Sequence, residues 1–231
     1  MNLKICRHTM ILLSLFFSPL TFASDNKNED EPLISDDEIW MILVDEPSGY
    51  MQDARESFLL GDKKDASLLI RKASAFIKLK SHRAEKETAK TLKASAKKLL
   101  KLAKSVEKGS ITTTGSKLEE VFSSAEYALA EHYFLLAQNY EATEKYEKAA
   151  FAIEACVSHL LFASFWAEER LQEADIIAAK EARSEVEKMT RSSEYKRNKI
   201  IEALKGIGRG IKKLGKKIKP FDPQDEASPL R

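Results

Sequence analysis

The chain has 231 residues, 43% of them hydrophobic, with 38 Lys and Arg against 36 Asp and Glu, and only two cysteines. That length can bury one sizeable core, and two cysteines exclude the multi-bridge framework of a small secreted scaffold. The formal charge of +2 conceals a segregation: residues 24–47 hold nine acids against Lys27, and residues 196–219 hold ten bases against Glu202. Termini charged this way point to partners at the ends, or to the ends meeting each other.

Residues 1–23 have the pattern of a secretory signal. Lys4 and Arg7 give a positive start, Met10–Phe17 is an apolar run too short to span a bilayer, and Thr21-Phe22-Ala23 offers small residues for cleavage at about Ala23. No cysteine sits near that cut, so a lipid anchor is not expected, and the mature protein is expected in the periplasm or outside the cell. No other apolar run of spanning length is expected after the signal, so the mature chain is expected to be soluble. Cys6 leaves with the signal and Cys156 remains alone, so stability must come from packing.

Residues 24–34 form an acidic leader too poor in apolar residues to fold. Order is expected from Ser35, where Ser35 and Glu38 make a capping box ahead of Ile39–Val44. Pro47-Ser48-Gly49 is expected to interrupt that helix, Tyr50–Leu60 to resume it, and Gly61 to stop it in the left-handed region. Ala66, Leu69, Ile70, Ala73, Phe76 and Ile77 make one apolar face, and Leu92, Ala96, Leu99, Ala103 and Val106 make another. Between them Lys80–Glu85 is polar, a place for a bend or break. Gly109–Gly115 is a loop, and Ser116 with Glu119 caps the next helix, whose inward face is Leu118, Val121, Phe122, Ala125, Leu129, Tyr133, Leu136 and Tyr140. The chain turns near Thr143. Tyr146, Ala149, Ile153, Val157 and Leu160 then point inward, followed by Phe162, Phe165 and Trp166, and by a thinner stripe of Leu171, Ala174, Ala178, Ala182, Val186 and Met189.

Ala54–Glu85 has a fainter copy 83 residues later. Ala54, Ala66, Ile70, Ser81, Ala84 and Glu85 fall on Ala137, Ala149, Ile153, Ser164, Ala167 and Glu168, while Leu68, Ala73 and Ile77 fall on Phe151, Cys156 and Leu160. No period-2 alternation appears, so no strand is expected. The predicted fold is all-α: an antiparallel bundle of two repeated long helical hairpins (about 36–108 and 116–191, in a domain 35–191), a basic amphipathic helix at 192–219, and a polar tail at 220–231.

The motif Ala54-Arg55…Phe58…Gly61-Asp62…Ala66…Ala73, and the later Tyr146…Lys148-Ala149…Ala152…Ala155, resemble tetratricopeptide-type helical hairpins. The 83-residue offset far exceeds that repeat's length of about 34 residues, so a solenoid is not expected. The same two stretches are similar to the YfdX-type periplasmic proteins of enteric bacteria. That resemblance implies an exported helical protein with a chaperone-like role in envelope stress. The basic C-terminal stretch has no counterpart in it.

Cys156 and His159 share a helical face, with His132 on the partner helix, a set able to hold zinc or copper. The copy places Ala73 and Phe76, both core residues, at the first two positions, so a small buried thiol and a hydrogen-bonded core histidine explain the pair better, without a metal. No cofactor is called for. HExxH, GxSxG and phosphate-binding glycine loops are missing, and a non-enzymatic protein is expected. Lys86, Lys90, Lys93, Lys97, Lys101, Lys104 and Lys108 line one side of a helix and read as a solvated face. No nucleic-acid partner is expected, because the basic stretches lack interleaved aromatics.

The most informative stretch is the basic one. Ile200, Leu204, Ile207, Ile211, Leu214 and Ile218 form a narrow stripe, accompanied by Lys196, Arg197, Lys199, Arg209, Lys212, Lys213, Lys216 and Lys217. Its glycines each cost about 1 kcal/mol of helix stability, so a partner surface is needed to order it. An anionic membrane comes first, docking on the bundle second, and pairing with another copy of the chain third. Other envelope proteins are the expected partners of the bundle itself.

Overall fold

A computed structural model of the chain describes residues 46–111, 116–167 and 197–218, all within one compact unit, Asp36–Arg231. The signal and leader segments, the Ser35 capping box, Ile39–Val44, the Leu171–Met189 stripe, Lys196 and the tail beyond Ile218 lie outside the described residues, as does the side chain of Ser116.

The protein is all-α. Its described helices are α1 (Glu46–Leu59), α2 (Lys63–Arg83), α3 (Lys86–Glu107), α4 (Ser116–Ala142), α5 (Tyr146–Trp166) and α6 (Arg197–Gly215). Pro47-Ser48-Gly49 does not interrupt α1. It forms the first turn, where a proline lacks no hydrogen bond the helix needs, and both Pro47 and Ser48 are buried.

Three helix ends share one device. After α1, Gly61 takes φ +85, its N–H donates to Phe58 C=O, and Asp62 N–H donates to Ser57 C=O, the paired bonds of a Schellman stop. Asp62 then caps α2, its Oδ1 accepting from Asp65 N–H at 3.0 Å. Gly109 (φ +68) ends α3 in the same way, its N–H bonded to Val106 C=O and Ser110 N–H to Ser105 C=O. After α4 the left-handed residue is Glu144 (φ 59), with Glu144 N–H on Glu141 C=O and Lys145 N–H on Tyr140 C=O.

Glu144 lies 83 residues beyond Gly61, and the element boundaries keep that offset. Leu59 and Ala142 end the first helices of the two hairpins, and α2 and α5 begin and end in register. The pairs Ala54/Ala137, Ala66/Ala149, Ile70/Ile153, Ala73/Cys156 and Ile77/Leu160 are fully buried, while Leu68 and Phe151 are both exposed.

The 62–108 stretch breaks where it is polar. Ala84 and Glu85 are extended (ψ 152° and 155°), and α3 folds back on α2, with Ser74 Oγ donating to Ala96 C=O at 2.8 Å. The fold is therefore a succession of shorter helices, α1 to α5 each packed mainly on a chain neighbour and α6 on both α4 and α5. Buried residues form two clusters. One joins α1, α2, α3, the first half of α4 and Trp166; the other joins the second half of α4, α5 and α6.

The element common to both is α4. Every residue from Val121 to Ala130 is buried, so this helix is enclosed on all sides. Small residues make that enclosure feasible, since Ser123, Ser124, Ala125, Ala128 and Ala130 let neighbours approach closely. The serine hydroxyls stay satisfied: Ser123 Oγ donates to Ala163 C=O on α5 at 2.9 Å, and Ser124 Oγ to Glu120 C=O at 3.0 Å.

One expectation needs correcting. By length and composition α5 is apolar enough to cross a membrane, so a run of spanning length does follow residue 23. Here 67% of its most apolar 18-residue window is buried inside the protein, with Ala149, Ile153, Cys156, Leu160 and Ala163 inaccessible. Its apolar character is that of a core helix enclosed by neighbours.

Candidate functional site

Two features stand out from the helical packing: a buried chain of polar groups where α1, α2, α4 and α5 meet, and the outer face of α6.

The polar chain centres on His159 of α5, which is fully inaccessible. Its Nδ1 lies 2.7 Å from Oε2 of Glu126 on α4, also fully inaccessible, so the imidazole N–H donates to the carboxylate. Ser48 Oγ of α1 lies 3.5 Å from the same nitrogen. The Tyr133 ring of α4 stacks on the imidazole at 5.4 Å and 13°. Lys80 of α2, only 4% exposed, donates from Nζ to the Tyr133 hydroxyl at 2.6 Å and sits 5.2 Å from that ring's centroid.

This arrangement cannot work as a nucleophilic relay. Ser48 and Glu126 approach the same imidazole nitrogen, whereas activation needs the base on one side and the orienting carboxylate on the other. The group is also sealed from solvent. Its evident role is to fasten both clusters together across four helices. Among the described residues, Glu126 Oε1 and His159 Nε2 have no hydrogen-bond partner.

Cys156, His159 and His132 do not converge on a metal site; among the described residues no group of three His, Cys, Asp or Glu side chains is placed to hold an ion. His159 is committed to Glu126, and the Cys156 thiol is pushed far up by burial, then by Glu131, so it is protonated and inert at neutral pH. His132 is pushed down to about 4 by burial, then by Lys80 and His159, and is neutral at pH 7.

The apolar stripe of α6 faces inward. Ile200, Ile207, Leu214 and Ile218 are inaccessible and Leu204 and Ile211 nearly so, packed on α4 and α5. The stripe thus docks on the bundle rather than facing outward toward a membrane. The glycines explain the fit. Side-chain carbon added at Gly208 would meet the Phe134 ring at 3.1 Å, and at Gly215 it would collide with the Tyr127 hydroxyl and come within 2.9 Å of its ring. Phe134 and Tyr127 are two turns apart on α4, as Gly208 and Gly215 are on α6, so two rings seat in two notches. Tyr127 also donates its hydroxyl to Ile211 C=O at 3.0 Å. Burial raises the Tyr127 hydroxyl far above its ordinary range, helped by Glu131, so it remains a donor. The Glu131 carboxyl is itself pushed up by burial, against the pull of the Tyr127 hydroxyl.

The opposite side of α6 is cationic. Arg197, Lys205, Arg209, Lys212 and Lys213 on the helix, and Lys216 and Lys217 in the turn that follows it, are exposed, Lys199 is half-buried, and Glu202 is the one acid on the helix. Arg197 is tied to Glu141 of α4 at 3.3 Å. Lys205 belongs to this row although the sequence reading passed over it; its spacing of four before Arg209 was the available signal. Glu126 and Lys80 were missed as well. Glu126 sits four residues from both Phe122 and Ala130, inside the apolar face, which marks it as buried.

A groove of about 600 Å³ lies between α1 and α5, lined by Leu59, Phe162, Phe165 and Trp166 with Gln52, Arg55 and Glu56 on its rim. Arg55 is held by Glu119 of α4 at 3.0 Å. Leu59 and Phe165 are exposed there. No family model, curated protein or solved structure matches this chain.

Proposed function

We propose that this is a non-enzymatic, exported helical protein that engages partners in the cell envelope, with α6 holding it to a polyanionic surface. The observation that carries this reading is the division of α6: an apolar stripe locked into the bundle and a row of exposed cations on the other side. A cationic face on a rigid helix gives attraction without a folding cost at binding. Residues 1–23 support export. The sealed polar chain offers no substrate access, which supports binding over catalysis.

Retention of residues 24–231 on an immobilised sulfated polysaccharide tests this. The protein should elute at high salt, and the variant Lys205→Gln, Arg209→Gln, Lys212→Gln, Lys216→Gln should elute at much lower salt with an unchanged melting temperature. Equal elution of the two would remove α6 as the anionic-binding element.

A second reading, capture of other envelope proteins, is favoured by the exposed Leu59 and Phe165 lining the α1–α5 groove. Suppression of client aggregation that is lost in Phe165→Asp would support it, and suppression equal in both proteins would count against it.

A further inference from the structure

Resting on the α6 reading above, we infer that the anionic partner is a lipid leaflet, bound flat by the outer face of α6 while its apolar stripe stays in the core. Lys205, Arg209 and Lys212 fall within about 60° of arc and span about 10 Å along α6, and Lys216 follows in the turn that closes it, a row suited to a plane. The row lies roughly 150° round the helix from the apolar stripe, so the surface can engage it without disturbing Ile207 or Leu214.

The chemistry of the row favours a diffuse charged surface. Five of the six exposed cations from Lys205 to Lys217 are lysines, point charges without the planar fork that reads one carboxylate or phosphate in two-point fashion. No aromatic side chain occurs on α6, so bases of a single-stranded nucleic acid would find no stacking platform. Headgroups that diffuse laterally can match any spacing of lysines. The usual mode of an amphipathic helix at a membrane is insertion of its apolar side. That route is closed here unless the stripe leaves α4 and α5, which would unseat Phe134 from Gly208 and Tyr127 from Gly215.

The test is co-sedimentation of residues 24–231 with vesicles of phosphatidylcholine alone or with 30 mol% phosphatidylglycerol (roughly the anionic share that gives a substantial surface potential), combined with amide hydrogen exchange. Binding should require phosphatidylglycerol and weaken steeply with salt. Each lysine near such a surface is worth about five-fold in partition, so the four-glutamine variant should bind several hundred-fold more weakly. A variant with Lys205→Arg, Lys212→Arg and Lys216→Arg should bind like the parent. Exchange in Tyr127–Ala137 of α4 and Ile153–Leu160 of α5 should be the same free and bound. Faster exchange there on binding, or binding to phosphatidylcholine alone, would mean that α6 inserts, and would overturn the flat docked mode. Retention on the polysaccharide without any vesicle binding would overturn the lipid assignment and leave the anionic reading standing. Failure of both would remove both.

Discussion

At the scale of single residues, two positions 83 apart carry the same left-handed backbone with different side chains. Gly61 adopts φ +85 freely, whereas Glu144 holds φ 59 with a Cβ, a conformation costing about 1–2 kcal/mol for a residue other than glycine. Opposite effects are expected. Gly61→Ala should lower stability by about 1 kcal/mol, and Glu144→Gly should raise it by up to about 1 kcal/mol; chemical denaturation of both variants would show it, and equal signs would contradict the assignment of a shared stop. Glu126 and His159 are a second residue-scale case. Removing one member leaves an unsatisfied polar group in the core, so Glu126→Ala should cost about 1–3 kcal/mol, while a double change to Leu should cost clearly less than the two single changes added. His132 supplies a pH dependence. Its pKa in the folded protein, about 4, is below the ordinary 6.5, so protons favour the unfolded chain. The stability held by neutral His132 is complete above pH 6.5 and is lost as pH falls toward 4. Thermal melts of the parent should drop more between those pH values than melts of His132→Gln, by on the order of 1–3 kcal/mol.

At the scale of elements, the contrast between α1–α5 and α6 shows what sequence can and cannot convey. Helix stops were legible because Gly61 and Gly109 are the residues that a left-handed stop demands. The apolar phases of α2, α3 and α4 were legible because their buried residues recur at helical spacing, and Leu92, Leu99 and Val106 are all inaccessible. The break at Ala84–Glu85 was only hinted at, since neither glycine nor proline marks it and two extended ψ angles do the work. Lys80 and Glu126 were hidden because a charged residue on a charge-rich helix is usually solvated, and only tertiary packing reveals a partner. The stripe on α6 was plain, but its destination was not, because membrane, core and second copy all select the same periodicity. The glycines decide it. In a free helix, Gly208→Ala or Gly215→Ala would add about 1 kcal/mol of helix stability. In the docked helix Gly215→Ala must displace Tyr127, so it should destabilise the whole protein, and Tyr127→Phe combined with it should recover part of the loss. A rise in stability on Gly215→Ala would mean that α6 does not dock there.

At the scale of the whole molecule, α4 is the shared member of two buried clusters, and the polar chain from Lys80 through Tyr133 and His159 to Glu126 and Ser48 crosses between them. α6 is therefore part of the core, and its cations are what remains outside. Equilibrium unfolding of Ile207→Ala in denaturant tests that claim most directly, because Ile207 is inaccessible at the middle of the stripe. Loss of a fully buried isoleucine side chain should lower the unfolding free energy by about 2–5 kcal/mol in a single cooperative transition. An unfolding curve that coincides with that of the parent would show that the stripe is not packed in the core, and the docked cationic face would fall with it.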